Sequence, residues 1–378
     1  MRACHVIHDL RRGGAEHLLS DLAVVAGGAG MEMSVVSLMP LSESGYADSL
    51  RASGIPLRSL GLRSRWDPRA AARLRRVVED LRPDVLHSHL KHADLVVGRV
   101  APRVDIPMVS SLHVVEDAVG VLGRFKRDLA IRVRDRAADR ILAVSAALRQ
   151  WYLGLSGRDP ATVLVLHNGV PAPGPVVAGH RERVRAALGV PQDAVLAATM
   201  VILRPGKGVE DLLAAASALP AEPDVRFVVA GSGPEEGAMR ATASRLGLLG
   251  TRVVFPGFVD DVAGLLAAVD LLVHPSHGDA LPTAVIHAMA AGLPVVATRV
   301  GGIAEIVGED HGILVPPGDP VALGAAVSTL AGDPGRRQRM GGGARERFAA
   351  SFEIGSWARR LIEIYGEVIA ERGRQRRP

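Results

Sequence analysis

Residues 270–305 read DLLVHPSHGDALPTAVIHAMAAGLPVVATRVGGIAE, and the order of signals in them decides the fold. Asp270–His274 is an apolar run of strand length, and Pro275–Asp279 is a turn-rich loop ending on a carboxylate. Leu281–Ala291 has helical character, with Pro282 near its first turn and Gly292 as its stop. Val295–Thr298 is the next buried strand, and Gly301-Gly302 follows as a tight loop. Strand, loop, helix, strand is the unit of a parallel sheet with crossover helices. A loop leaving the carboxyl edge of such a sheet delivers the chain to a helix N-terminus. The free amides and positive dipole end found there suit phosphate.

Working outward, the same alternation continues on both sides. Val195–Met200 reads as a strand, and LRPGKGVEDLL (Leu203–Leu213) follows it. Lys207 stands in a glycine-flanked loop ahead of a helix, where ammonium can neutralise charge that backbone amides cradle. Phe227–Ala230 runs into Gly231-Ser232-Gly233-Pro234, but Gly237 comes one place too late for a dinucleotide fingerprint. Arg252–Phe255 leads to Gly257-Phe258-Val259, and Asp260-Asp261 reads as a cap pair opening a short helix. After the strand Gly312–Val315, helices are expected over Pro320–Ala331, Gly335–Ala350 and Ile354–Arg372.

Towards the start, the strand Ala3–Asp9 gives way to a loop, Leu10–Gly14, that opens the helix Ala15–Ala26. Gly13 and Gly14 carry no Cβ, so a ligand can approach their backbone closely. Val35–Met39 and Asp84–His87 read as further strands, and Pro68–Leu81 as an Arg-rich amphipathic helix. His87, His89 and His92 invite a metal reading, yet zinc needs about four converging ligands. No cysteine or suitably spaced histidine completes that set, so no metal site is expected. Pro107–His113 is a strand that again ends in histidine. Gly123–Arg140 carries Arg124, Lys126, Arg127, Arg132, Arg134, Arg136 and Arg140 among apolar residues, with three aspartates interspersed. It suits either an anionic surface or a solvated helix with internal ion pairs. Val163–Leu166 leads into His167-Asn168-Gly169-Val170, and the stiff PAPGP of Pro171–Pro175 is the best linker in the chain.

Composition sets the frame for these pieces. With 378 residues, 48% of them hydrophobic and 42 glycines, the chain suits two globular α/β domains rather than disorder. Cys4 is the only cysteine, so no internal disulfide forms, and its apolar strand makes it a small buried thiol. The first strand begins almost at residue 1 and no apolar run reaches spanning length, which together predict a cytoplasmic protein. Residues 1–175 carry a net +6, residues 176–355 a net −4, and the tail from 356 a net +3. The basic first half suits an anionic membrane surface or a phosphate-bearing acceptor, though 42 Arg against 3 Lys also fits a solvated face. Nothing in this patterning points to nucleic acid.

The chain resembles the retaining family-four glycosyltransferases (group 1 glycosyltransferases). The resemblance rests on Ala288–Val296 (AMAAGLPVV), Gly13–Glu16 (GGAE), the loop of Lys207 and His167–Val170 (HNGV). It covers essentially the whole chain and is strongest over 199–306. Where that family has two glutamates eight positions apart, this sequence has Asp279 and His287. The family's arginine five places before the lysine falls on Ile202, with Arg204 nearby.

The resemblance implies an α/β architecture of the GT-B type: two Rossmann-like doubly wound domains facing across a cleft, with a last helix crossing back to the first. The domains implied are 1–170 on the acceptor side, a linker over 171–190, a nucleotide-sugar domain over 191–355, and a helix over 356–378. The activity implied is transfer of a sugar from a UDP- or GDP-sugar to an acceptor hydroxyl, in cell-surface glycan or glycolipid synthesis. No cofactor and no metal are required, and the absence of any Asp-x-Asp argues against the metal-dependent GT-A class. His113, Lys207 and Asp279 take catalytic positions. Gly13, Gly14, Arg204, Gly231, Phe258, Val259, Leu281, Pro282, Thr283, Ala284 and His287 line the donor. The implied partners are the nucleotide sugar, a glycan or lipid-linked acceptor, and a membrane surface at which the protein is peripheral. Two alternatives share the fold: a nucleotide-sugar 2-epimerase, and a non-catalytic partner in which the paired glutamates have drifted. Acceptor contacts fall to loops such as 41–66 and 114–123, which carry no motif.

Overall fold

The computed structural model describes every residue except Arg12, 42–45, Arg65, Trp66, Asp117, Val119 and 376–378. Parts of both loops expected to meet an acceptor therefore lie outside the described residues. The chain divides into two compact units, Met1–Gly169 with Ile354–Pro378, and Val170–Glu353.

The first unit is built on seven strands: β1 (Arg2–Ile7), β2 (Glu32–Ser37), β3 (Leu57–Ser59), β4 (Val85–His89), β5 (Met108–Leu112), β6 (Arg140–Ala143) and β7 (Val163–Val165). Its helices are α1 (Gly14–Val25), α2 (Ala47–Ala52), α3 (Ala70–Leu81), α4 (Leu90–Val104), α5 (Gly120–Ala137) and α6 (Ala146–Leu153). All the pairings are parallel, in the order β3-β2-β1-β4-β5-β6-β7. The chain winds outward from β1 to β3, returns beside β1 as β4, and winds the other way. That reversal between β1 and β4 is a topological switch point, where the loops part and a crevice opens at the carboxyl ends.

The second unit repeats the scheme. Its helices begin with α7 (His180–Ala187), α8 (Val209–Ala218), α9 (Glu236–Arg245) and α10 (Val262–Ala268). They continue with α11 (Thr283–Ala290), α12 (Ile303–Ile306), α13 (Pro320–Gly332) and α14 (Pro334–Ser351). Its strands are β8 (Val195–Met200), β9 (Val225–Ala230), β10 (Val253–Gly257), β11 (Leu271–His274), β12 (Val295–Thr298) and β13 (Gly312–Val315). They form one parallel sheet in the order β10-β9-β8-β11-β12-β13, with the switch point between β8 and β11. Two doubly wound parallel sheets are the α/β architecture that the resemblance implies.

The strands of the second sheet are apolar nearly throughout because helices cover both faces. In β11 the residues Leu271–Val273 are wholly buried, as are Val295–Ala297 of β12. Side-chain caps start several helices: Ser145 accepts from the Leu148 N–H, Asp261 from Gly264, Asp319 from Ala322 and Asp333 from Arg336. A final helix, α15 (Ile354–Gln375), belongs to the first unit. Trp357, Ala358, Leu361, Ile364, Tyr365 and Val368 recur at helical spacing and join the core with Leu18, Leu19 and Leu22 of α1. Ion pairs Arg140–Glu371 (2.7 Å) and Arg372–Asp139 (2.8 Å) hold its far end.

The stretch 171–190 is not linker throughout. Its proline-rich first part lacks regular structure, but α7 (His180–Ala187) lies within the rest. Arg181 and Arg185 tie α7 to Asp270, just ahead of β11, and Arg185 also donates to the carbonyls of Ala268, Pro191 and Ala194. A helix so rich in arginine shows no apolar stripe, which hid it in the sequence. Among the described residues no helix is long and apolar enough to cross a membrane.

Candidate functional site

In the second unit, the loops that leave β8 and β11 meet across the switch point. The His277 N–H donates to the Gly206 carbonyl (2.9 Å), and Ser276 Oγ donates to the same oxygen (3.3 Å). Gly208 has φ +68°, and a Cβ there would lie 1.9 Å from the Pro275 carbonyl oxygen. Only glycine permits so close a crossing of two backbones. Lys207 thereby reaches across the gap, with its Nζ 2.6 Å from Asp279 Oδ2. His274, the last residue of β11, places Nε2 3.2 Å from the same oxygen. Burial alone would push the Asp279 carboxyl up, but the hydrogen bond and charge of His274, with those of Lys207, hold it down at about 2. The His274 Nδ1 is buried without a hydrogen-bond partner among the described residues.

The backbone around this pair is clamped. The Gly302 N–H donates to the Ala280 carbonyl (3.0 Å), and a Cβ at Gly301 would come within 1.8 Å of the Asp279 carbonyl oxygen. On the other side Gly231 (φ +141°) passes under Val201, and its N–H donates to the Gly257 carbonyl (2.8 Å). Half-buried Phe258 and Val259 therefore follow directly beside it. Arg204 is exposed in the β8 loop and makes no side-chain bond among the described residues, and Ile202 is 48% exposed.

Helix α11 begins at Thr283, two residues later than the sequence suggests. Pro282 is its extended N-cap (φ −74°, ψ 115°), no side chain caps the helix, and Leu281 and Pro282 are buried. Thr283, Ala284 and His287 lie three and four residues apart at most, so they share one half-buried face of the helix. The structure thus gathers Lys207, Asp279 and the start of α11 at one carboxyl edge. His274 joins them unannounced: its local signal, the last position of an apolar strand, does not distinguish it from a core residue.

In the first unit, Gly13 is the extended N-cap of α1, and a Cβ there would meet the carboxylate of Glu16 at 2.2 Å. Gly14 faces open space. Burial raises the Glu16 carboxyl to about 7. His113 follows β5 and belongs to a set of histidines that only the sheet assembles. His5 of β1 lies in register with His87 of β4, and His89 lies two residues on, on the same face. His5 Nδ1 is 3.0 Å from His89 Nε2, and His89 Nδ1 is 3.0 Å from His113 Nε2. His87 bonds the Tyr365 hydroxyl (2.5 Å) and Ser111 Oγ (2.8 Å). Burial lowers the pKa of all four, to about 3 for His5 and about 4 for His113.

His5, His87 and His89 bring ring nitrogens within 4.8 Å of one another, so His5 joins two of the three histidines that the sequence offered for a metal. It stands 82 residues before His87 and 84 before His89, which is why spacing did not reveal it. Every ring nitrogen of the three except His5 Nε2 is already hydrogen-bonded within the chain. His92 instead sits against His8, with ring centroids 4.8 Å apart.

The basic segment 123–140 is not one surface. Arg134 is fully buried, bonding Asp94 Oδ2 and Glu116 Oε1 at 2.6 Å each, and Arg140 lies in β6. What remains exposed at the start of α5 is mixed: Val121, Leu122 and Phe125 with Arg124 and Lys126.

A family model described as "Glycosyl transferases group 1" matches residues 193–333, and one described as "Glycosyltransferase Family 4" matches residues 12–172. The chain is 32% identical to a D-inositol 3-phosphate glycosyltransferase of Kineococcus radiotolerans over 78% of its own length and 73% of that protein. It is 30% identical to a glycogen synthase of Mycobacterium tuberculosis, over 82% of this chain and 75% of that one. Among solved structures it is similar to Anabaena Alr3699/HepE in complex with UDP-glucose. The TM-score is 0.84 at 22% identity, covering 97% of this chain and 100% of that one.

Proposed function

The chain belongs to the family-four, group 1 glycosyltransferases and has their GT-B fold, and on that footing we propose that it moves a sugar, with retention, from a UDP- or GDP-sugar to an acceptor hydroxyl. The observation that carries the reading is the Lys207–Asp279 pair at the β8/β11 switch point, beside the uncapped start of α11. Without a donor the two charges satisfy each other. A bound nucleotide sugar takes Lys207 and the first amides of α11 for its diphosphate, and leaves Asp279 for a sugar hydroxyl. Arg204 is free to swing onto the same phosphates. Phe258 and Val259 flank the nucleotide and His287 meets its ribose; in the first unit, His113 is the group offered to a sugar hydroxyl.

In the step itself, the bond from the anomeric carbon to the diphosphate oxygen breaks and a bond to the acceptor oxygen forms on the same face. The acceptor's proton passes to the departing diphosphate. Lys207 and the helix N-terminus stabilise the charge that grows there, so neither metal nor cofactor is needed. The relatives are named for D-inositol 3-phosphate and for glycogen, both of which carry hydroxyls. The net +6 of residues 1–175 favours a phosphate-bearing or lipid-linked acceptor, as in cell-surface glycan synthesis.

A thermal-shift screen of UDP, GDP, ADP and their sugars, with and without EDTA, tests this. Ligand at 100 times its Kd stabilises by about 2.7 kcal/mol. A shift with one nucleotide family, indifferent to EDTA, is expected. No shift with any would favour a non-catalytic partner, and free UDP released without acceptor would favour an epimerase. Peripheral attachment to membrane is a second reading, favoured by exposed Val121, Leu122 and Phe125 beside Arg124 and Lys126. Flotation with anionic vesicles should recover the protein, and its absence from the floated fraction would sink that reading.

A further inference from the structure

We propose that His5 and His89 form a relay that fixes which nitrogen of His113 carries its proton, so that His113 meets its ligand as an Nδ1–H donor. The proposal rests on the reading above only in taking that ligand to be a sugar hydroxyl. His5 and His89 are positioning residues in this scheme, and His113 alone touches substrate.

The geometry leaves two arrangements. The three rings are linked by two contacts of 3.0 Å, His5 Nδ1 to His89 Nε2 and His89 Nδ1 to His113 Nε2. Burial keeps all three uncharged at neutral pH, and a neutral imidazole carries one N–H. Three protons therefore serve two contacts, and the third sits at an end of the chain. Either all three rings carry Nδ1–H, with the spare proton on His113, or all three carry Nε2–H, with the spare proton on His5.

Burial chooses between them. His5 is fully buried, and its Nε2 has no hydrogen-bond partner among the described residues. A proton placed there would be a stranded donor, whereas a bare lone pair there is the lesser loss. His113 is the half-exposed member, and Nδ1 is the nitrogen that His89 leaves unused. All three rings thus carry Nδ1–H, and the spare donor points to the end that a ligand can reach. His87, bonded to Tyr365 and Ser111, packs against His89 with ring centroids 4.2 Å apart but takes no part in the chain. Leu90, directly after His89, is held at φ +67°, a left-handed conformation that a non-glycine residue keeps only under constraint.

Long-range 1H–15N spectra of the full chain with labelled histidine, ligand-free at neutral pH, decide the matter. His113 should show a protonated Nδ1 and an unprotonated Nε2, and the reverse assignment would overturn the relay. His89→Phe should abolish that fixed assignment and raise KM for the sugar substrate that His113 meets about fivefold, the worth of one hydrogen bond. An unchanged His113 spectrum in that variant would also overturn it. If the variant does not fold, the wild-type spectrum decides alone. If the spectra are as expected but His113→Phe leaves KM for every sugar substrate unchanged, the relay stands and the sugar contact assigned to His113 falls.

Discussion

At Lys207 a single side chain stands between an internal partner and the phosphates assigned to it. Replacing it with alanine should cut kcat by about 100-fold, the scale of one lost transition-state donor. Steady-state turnover with the donor found in the thermal screen checks this, and unchanged turnover would overturn the assigned phosphate site. Asp279 also has a consequence for stability. Its folded pKa of about 2 lies below the ordinary 3.8, so it stabilises the fold by about 2 kcal/mol above pH 4 and loses that as pH falls towards 2. Urea unfolding of Asp279→Asn should show that deficit at pH 7 and a shrinking one on the acid side. Lys207 and Asp279 were legible because each sits in a loop whose glycines and prolines mark it locally. His274 and His5 were not, because their partners come from strand register and loop closure, which no local pattern encodes.

Among the elements, the clamp of backbone on backbone around Asp279 is the most exposed to mutation. Gly301→Ala must place a Cβ 1.8 Å from a carbonyl oxygen at φ +49°, and should lose more than about 2 kcal/mol. Gly278→Ala in the facing loop meets nothing within 4 Å and should stay within about 1 kcal/mol. Thermal unfolding of the two variants separates crowding from mere loss of glycine. Helix α5 is pinned differently, through Arg134 to Asp94, which also accepts from Ser88 and Ser110. Arg134→Met would leave two carboxylates buried without their cation, and should destabilise by about 3–5 kcal/mol. The strands were readable because a sheet covered on both faces needs mainly apolar residues. The buried arginine was not, since in sequence it resembled its exposed neighbours Arg132 and Arg136.

Over the whole molecule, the first unit is discontinuous. Its last helix carries Trp357, Leu361, Ile364, Tyr365 and Val368 into the core around α1. Ending the chain at Glu353 would uncover that apolar face, and the truncated protein should be recovered mainly in the insoluble fraction. Soluble, cooperatively unfolding material would show that α15 is dispensable. The order of alternating strands and helices revealed the two sheets, but the amphipathic pattern of α15 does not say which sheet it covers.

That discontinuity also sets a timetable for a ribosome. The sheet made before residue 170 waits for a helix made after residue 353, while the residues between are polymerised. At about 5–20 residues per second the interval is roughly ten to forty seconds. Through that interval the nascent first unit shows the α1 face to whatever chaperone attends the exit tunnel, whereas the second unit is complete as soon as Glu353 emerges.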